Sequence, residues 1–160
     1  MDDELRGVKG WLLTFVIIMA VVSPLWSIFQ VYRELYAGDL AALPDIPLVT
    51  QMKTFVWTLV AVDTAIGWFC AYRLVVVQNW RSVQIAIVCI WVGSVGVRIA
   101  EYVGTSWITG LSFGDVVAGT GPGPLIQPFI FGLIWTSYLL KSERVQNTYR
   151  GGEEQAEVFE

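Results

Sequence analysis

From Trp11 to Tyr32 the chain runs for 22 residues without a charged side chain, WLLTFVIIMAVVSPLWSIFQVY. Coiled as an α-helix rising ~1.5 Å per residue, that run crosses the ~30 Å hydrocarbon core of a bilayer. Three more apolar stretches follow: Thr54 to Val77, Val83 to Val103, and Pro124 to Leu140, the last a short 17 residues. Composition agrees, with 55% apolar and only 15% charged residues. A soluble domain of this size buries only about 70% of its unfolded-chain surface and carries about 25% charge. The expected fold class is therefore all-α, a polytopic membrane protein built as a four-transmembrane-helix bundle.

A secretory signal is the rival reading of the first run, since Arg6 and Lys9 precede it. Such signals have an apolar stretch of roughly 7–15 residues and a small-residue cleavage site, and neither fits here. The run is read as a retained span, bent at Pro24, which lacks the N–H that would bond the preceding turn. Only Gln78 to Ser82 separates the second and third runs, so they form an antiparallel hairpin. Pro124 suits the first turn of the fourth helix. The organisation expected is a cytoplasmic N-terminus at residues 1–10, a membrane domain at 11–140 with spans at 11–32, 54–77, 83–103 and 124–140, and a cytoplasmic tail at 141–160.

Basic residues set the orientation. Arg6, Lys9, Arg81, Lys141, Arg144 and Arg150 fall on one side, and Arg33 and Lys53 on the other, which places both termini inside. Aromatic residues mark the boundaries: Trp11, Tyr72 and Trp80 within, Tyr32, Trp57, Tyr102 and Trp107 without. Pro44 and Pro47 break the first outer loop. The second contains a short helix from Phe113 to Ala118, capped by Ser112. Its Gly119, Gly121 and Gly123 do not make a phosphate loop, because no strand precedes them and no Lys-Ser/Thr follows.

Composition also excludes several chemistries. The chain has no histidine, the usual haem or zinc ligand and general base. Cys70 and Cys89 sit in apolar runs without metal or dithiol spacing and are read as packing residues. No cofactor is expected. A net charge of -4 and no basic stripe leave nucleic acid an unsuitable partner.

Four charges interrupt the second and third runs, and each costs at least ~2.5–3.5 kcal/mol near mid-bilayer. Arg73 is near enough to the inner end to snorkel. Asp63 and Arg98 lie 14 and 15 residues from the hairpin ends, both ~21–22 Å deep, so depth permits a pair. Glu101 shares the face of Arg98. Against this, Cys89, Gly93, Gly96, Ala100 and Gly104 form a small-residue stripe on the third helix. Contact of Gly67 with Gly93 and Gly96 would turn Arg98 away from Asp63, and would bring Cys70 to Cys89. In one reading Asp63, Arg98 and Glu101 line a polar pocket for an ion, proton or small anion. In the other, Arg98 and Glu101 neutralise each other while Asp63 accepts hydrogen bonds from neighbouring Thr, Ser or Trp groups.

Two end segments carry a resemblance. Gly7-Val8-Lys9-Gly10-Trp11-Leu12-Leu13 is similar to the Gly-x-x-Gly-Trp-Leu-Leu opening of YdgK-like bacterial inner-membrane proteins, a family of unknown function. Ser142 to Tyr149 resembles their closing Ser-x-Arg-Val-x-Asn-Thr-Phe/Tyr, here carried by Ser142, Arg144, Val145, Asn147, Thr148 and Tyr149. The resemblance implies four helices in a bacterial inner membrane and no activity. The closing motif reads either as a membrane-surface anchor or as a contact for a partner, or for the turn holding Trp80 and Arg81. The function expected is that of a non-enzymatic accessory or assembly partner, in the lipid bilayer with another membrane protein or its own copies. The alternative is an oligomeric transporter or ion-conducting protein using Asp63, Arg98 and Glu101.

Overall fold

The structure, a computed structural model, describes residues 7–37, 46–121 and 123–150. Pro44, Pro122, the acidic N-terminal residues and the tail from 151 lie outside that set. Four helices are long and apolar enough to span a membrane: α1 (Trp11–Ala37), α2 (Pro47–Val76), α3 (Trp80–Thr109) and α5 (Gly123–Lys141). A short α4 (Phe113–Thr120) joins α3 to α5, and α6 (Glu143–Tyr149) closes the chain. No strand occurs among the described residues.

The helices outrun the apolar runs because their ends are chemically marked. Pro47 opens α2 from the first turn, where its missing N–H costs nothing. Asn79 caps α3, its side chain accepting from the Ser82 N–H at 3.0 Å. Ser82, fully buried, also donates to the Val77 carbonyl, so residues 77–79 alone reverse the chain. Gly110, at φ 74, ends α3 in the left-handed conformation that glycine adopts freely. Ser112 accepts from the Asp115 N–H at 3.1 Å and starts α4.

Two spans contain π turns, at Ile18–Val22 and Arg33–Ala37 in α1 and at Val92–Gly96 in α3. The first precedes Pro24, where a distortion was expected from the missing donor. Its consequence is specific: the freed Ala20 carbonyl accepts from Trp68 Nε1 at 2.9 Å, tying α1 to α2.

Along the bundle α1 packs on α2, α2 on α3, and α3 on α5. Phe15 and Trp135, with ring centroids 4.7 Å apart, close the ring between α1 and α5. The continuous core, which includes Leu12, Phe15, Leu74, Ile90 and Leu139, lies in the half that holds both described chain ends and the 77–79 turn. We call this the terminal half and the opposite one the loop half. Between helices in lipid, close fit rather than water exclusion drives association, so this is where the bundle is held.

Candidate functional site

Asp63 on α2 lies within electrostatic reach of Arg98 on α3, and Glu101 pairs with that arginine. Arg98 Nη1 donates to Glu101 Oε2 at 2.6 Å, one helical turn away on α3. The two side chains remain 47% and 32% exposed. Asp63 lies within the electrostatic reach of Arg98 but forms no ion pair or hydrogen bond among the described residues. Its carboxylate rests instead on Gly93, with Oδ1 3.1 Å from the point where a Cβ would stand there. The expected pairing of Arg98 with Glu101 therefore forms, and the expected donors to Asp63 do not.

The glycine contact is divided rather than continuous. Gly67 faces α1, where a Cβ would stand 2.6 Å from the Met19 carbonyl oxygen; it does not touch Gly93 or Gly96. Gly93 receives Asp63 and Ile66, and Gly104 receives the ring of Phe55. A Cβ on Gly96 would meet only its own helix, and Gly96 and Ala100 are exposed together. The reason is the π turn. Hydrogen bonds to the fifth residue back widen the helix and rotate the positions after it, so a stripe drawn at 3.6 residues per turn breaks at Val92–Gly96. Cys70 and Cys89 are both buried in the same core, with their thiols near enough to influence each other.

The closing motif packs against the bundle. Val145 and Tyr149 are 0% and 1% exposed. Tyr149 Oη donates to the Leu74 carbonyl at 2.6 Å, completing the end of α2 where a helix leaves its last carbonyls open. Burial pushes the Tyr149 phenol well above its ordinary pKa. Thr148 Oγ1 accepts from the Gly7 N–H at 3.0 Å, so the opening and closing segments touch. The Trp80 contact belongs to Arg150, whose guanidinium sits 3.9 Å over the indole. The Ser142 carbonyl accepts from Gln146 N–H at the start of α6, and Asn147 points outward. Arg144 is half-buried, with Nη1 shielded and unpartnered among the described residues. Nε of Arg73, the residue expected to snorkel, is likewise shielded.

Two open grooves of about 510 and 720 Å³ run along α2 at the loop end, past Thr50 and Thr54. Neither reaches Asp63, Arg98 or Glu101.

Four apolar helices, a tightly packed terminal half and charges within two spans define a small polytopic membrane protein. Residues 5–150 match a family described as a protein of unknown function, DUF2569, and the chain belongs to that family. No curated protein and no solved structure matches the chain.

Proposed function

We propose that the protein handles an ion or small solute at the Asp63–Arg98–Glu101 cluster, as an oligomeric transporter or ion-conducting protein rather than an enzyme. One observation carries this reading. The arginine that would neutralise Asp63 is held by Glu101 at 2.6 Å, which leaves a carboxylate of α2 with no bonded partner among the described residues. An intramembrane acid left in that condition is costly, and its retention is explained by use. Six basic residues against two support a terminal half facing the cytoplasm. The similarity of both end motifs to YdgK-like proteins supports a bacterial inner membrane. The test is flux of protons, alkali ions and small solutes through proteoliposomes of the purified chain. Flux that is lost in Asp63→Asn is the expected result; wild-type and variant traces that coincide for every solute count against the reading.

A second reading, a non-enzymatic accessory or assembly partner, is favoured by Gly96 and Ala100. The other glycines of the stripe are spent on internal neighbours, whereas these two leave the loop half of α3 open to close approach by another helix. Purification from native membranes in gentle detergent separates the two. A stoichiometric foreign subunit supports the accessory role, and a homo-oligomer supports transport.

A further inference from the structure

α6 gathers the ends of all four spans on the face of the terminal half. Its Thr148 accepts the Gly7 N–H at 3.0 Å beside the start of α1, and its Tyr149 donates to Leu74 O in the last turn of α2. Arg150, the residue after α6, covers Trp80 at the first position of α3. Gln146 Nε2 donates to Leu140 O at the end of α5. Each of these contacts lies within two residues of a basic side chain. Lys9, Arg73, Arg81, Lys141, Arg144 and Arg150 are thereby brought round one short helix, against the single carboxylate of Glu143 among the described residues at that end. None of the six forms an ion pair among the described residues.

Arg73 and Arg144 add a second observation. Both are half-buried, and Arg73 Nε and Arg144 Nη1 are shielded without a hydrogen-bond acceptor among the described residues. A guanidinium carries five N–H donors and keeps its charge throughout the working pH range. Partly stripped of water and given no acceptor, it is expensive unless an anion meets its open side. The bilayer supplies such an anion. Spans that end here bring these side chains to the headgroup level, where phosphate diesters are abundant acceptors and the guanidinium fork matches two phosphate oxygens.

We propose that the face organised by α6 binds the headgroups of anionic phospholipids. Arg73 and Arg144 make the specific phosphate contacts, and the other four cations supply the surrounding field. A zwitterionic lipid offers the same phosphate but opposes that field with its own ammonium group, so the face selects lipids of net negative charge. The proposal stands apart from the ion-handling reading and uses none of its residues.

The test uses the full chain purified in mild detergent, with thermal unfolding as the readout. Phosphatidylglycerol, phosphatidylcholine or inorganic phosphate is added at fixed pH and ionic strength. The expected result is a saturable rise in unfolding temperature with phosphatidylglycerol, absent with the other two. Arg73→Gln and Arg144→Gln should each weaken the apparent affinity by about tenfold, the worth of one charge-assisted hydrogen bond. Arg33→Gln, on the loop half, should leave it unchanged. An equal response to both lipids, a response to inorganic phosphate alone, or an equal loss in Arg33→Gln overturns the proposal. Where a glutamine variant at Arg73 or Arg144 fails to fold, the wild-type comparison of the two lipids decides. The rival occupant is the acidic tail, since Glu153, Glu154, Glu157 and Glu160 follow Arg150. Replacing all four by glutamine in the full chain separates the two. A phosphatidylglycerol response seen only in that variant assigns the face to the tail and overturns the proposal; a response in both chains supports the lipid.

Discussion

Single glycines differ here in what their missing side chain permits, and substitution should rank them. Alanine at Gly104 forces a methyl into the Phe55 ring, and at Gly67 into the Met19 carbonyl. Each should cost about 1–3 kcal/mol, the usual penalty of overpacking. Alanine at Gly96, which meets no other helix, should leave the isolated chain unchanged. Unfolding of the three variants in detergent measures the order, and equal losses at Gly96 and Gly104 would contradict the packing. The residue types of this stripe were legible in the sequence; the partners were not. Small side chains advertise close approach but do not name the neighbour. Counting faces at a constant turn also fails where Val92–Gly96 adds a π turn. The only local hint was the run Gly93-Ser94-Val95-Gly96, since glycine and serine together mark sites of helix distortion.

Among the elements, α6 is the one whose role the sequence left open. Its motif was recognisable, yet seven residues have no periodicity strong enough to say what they touch. Burial of Val145 and Tyr149, each worth about 1.5–3 kcal/mol where water is displaced, decides for docking. Tyr149→Phe keeps the ring and removes the bond to Leu74, so it should cost about 1 kcal/mol at neutral pH. The phenol must stay protonated to donate, and its pKa is raised in the folded chain. Its contribution is therefore complete below the ordinary value of about 10 and is lost as pH climbs from there through the raised folded value. Stability measured against pH should fall more steeply above pH ~10 for wild type than for Tyr149→Phe. Parallel curves would mean that the hydroxyl adds nothing. By contrast the start of α4 at Ser112 and the α2–α3 hairpin were readable beforehand, because a capping side chain and a five-residue limit each leave one geometry.

For the whole molecule, length and hydropathy of the runs conveyed the four-helix architecture, since a bilayer admits few alternatives. The unequal halves were not visible, because apolar residues read the same whether they face lipid or each other. Cys70 and Cys89 report on the terminal half directly. Mild oxidation of isolated membranes should join them within one chain, giving a faster-migrating band that thiol reductant reverses. A band unchanged by oxidant would show the α2–α3 contact to be different from the one described. One further consequence follows from the bond between Gly7 and Thr148, which lie 141 positions apart. A ribosome delivers the former long before the latter. The inserted helices must therefore wait, with the Leu74 carbonyl of α2 and the opening segment both unmet, until α6 has been made. A polypeptide stalled or clipped short of Glu143 would carry that gap permanently, a defect that proteolytic surveillance at the membrane face could read as an unfinished product.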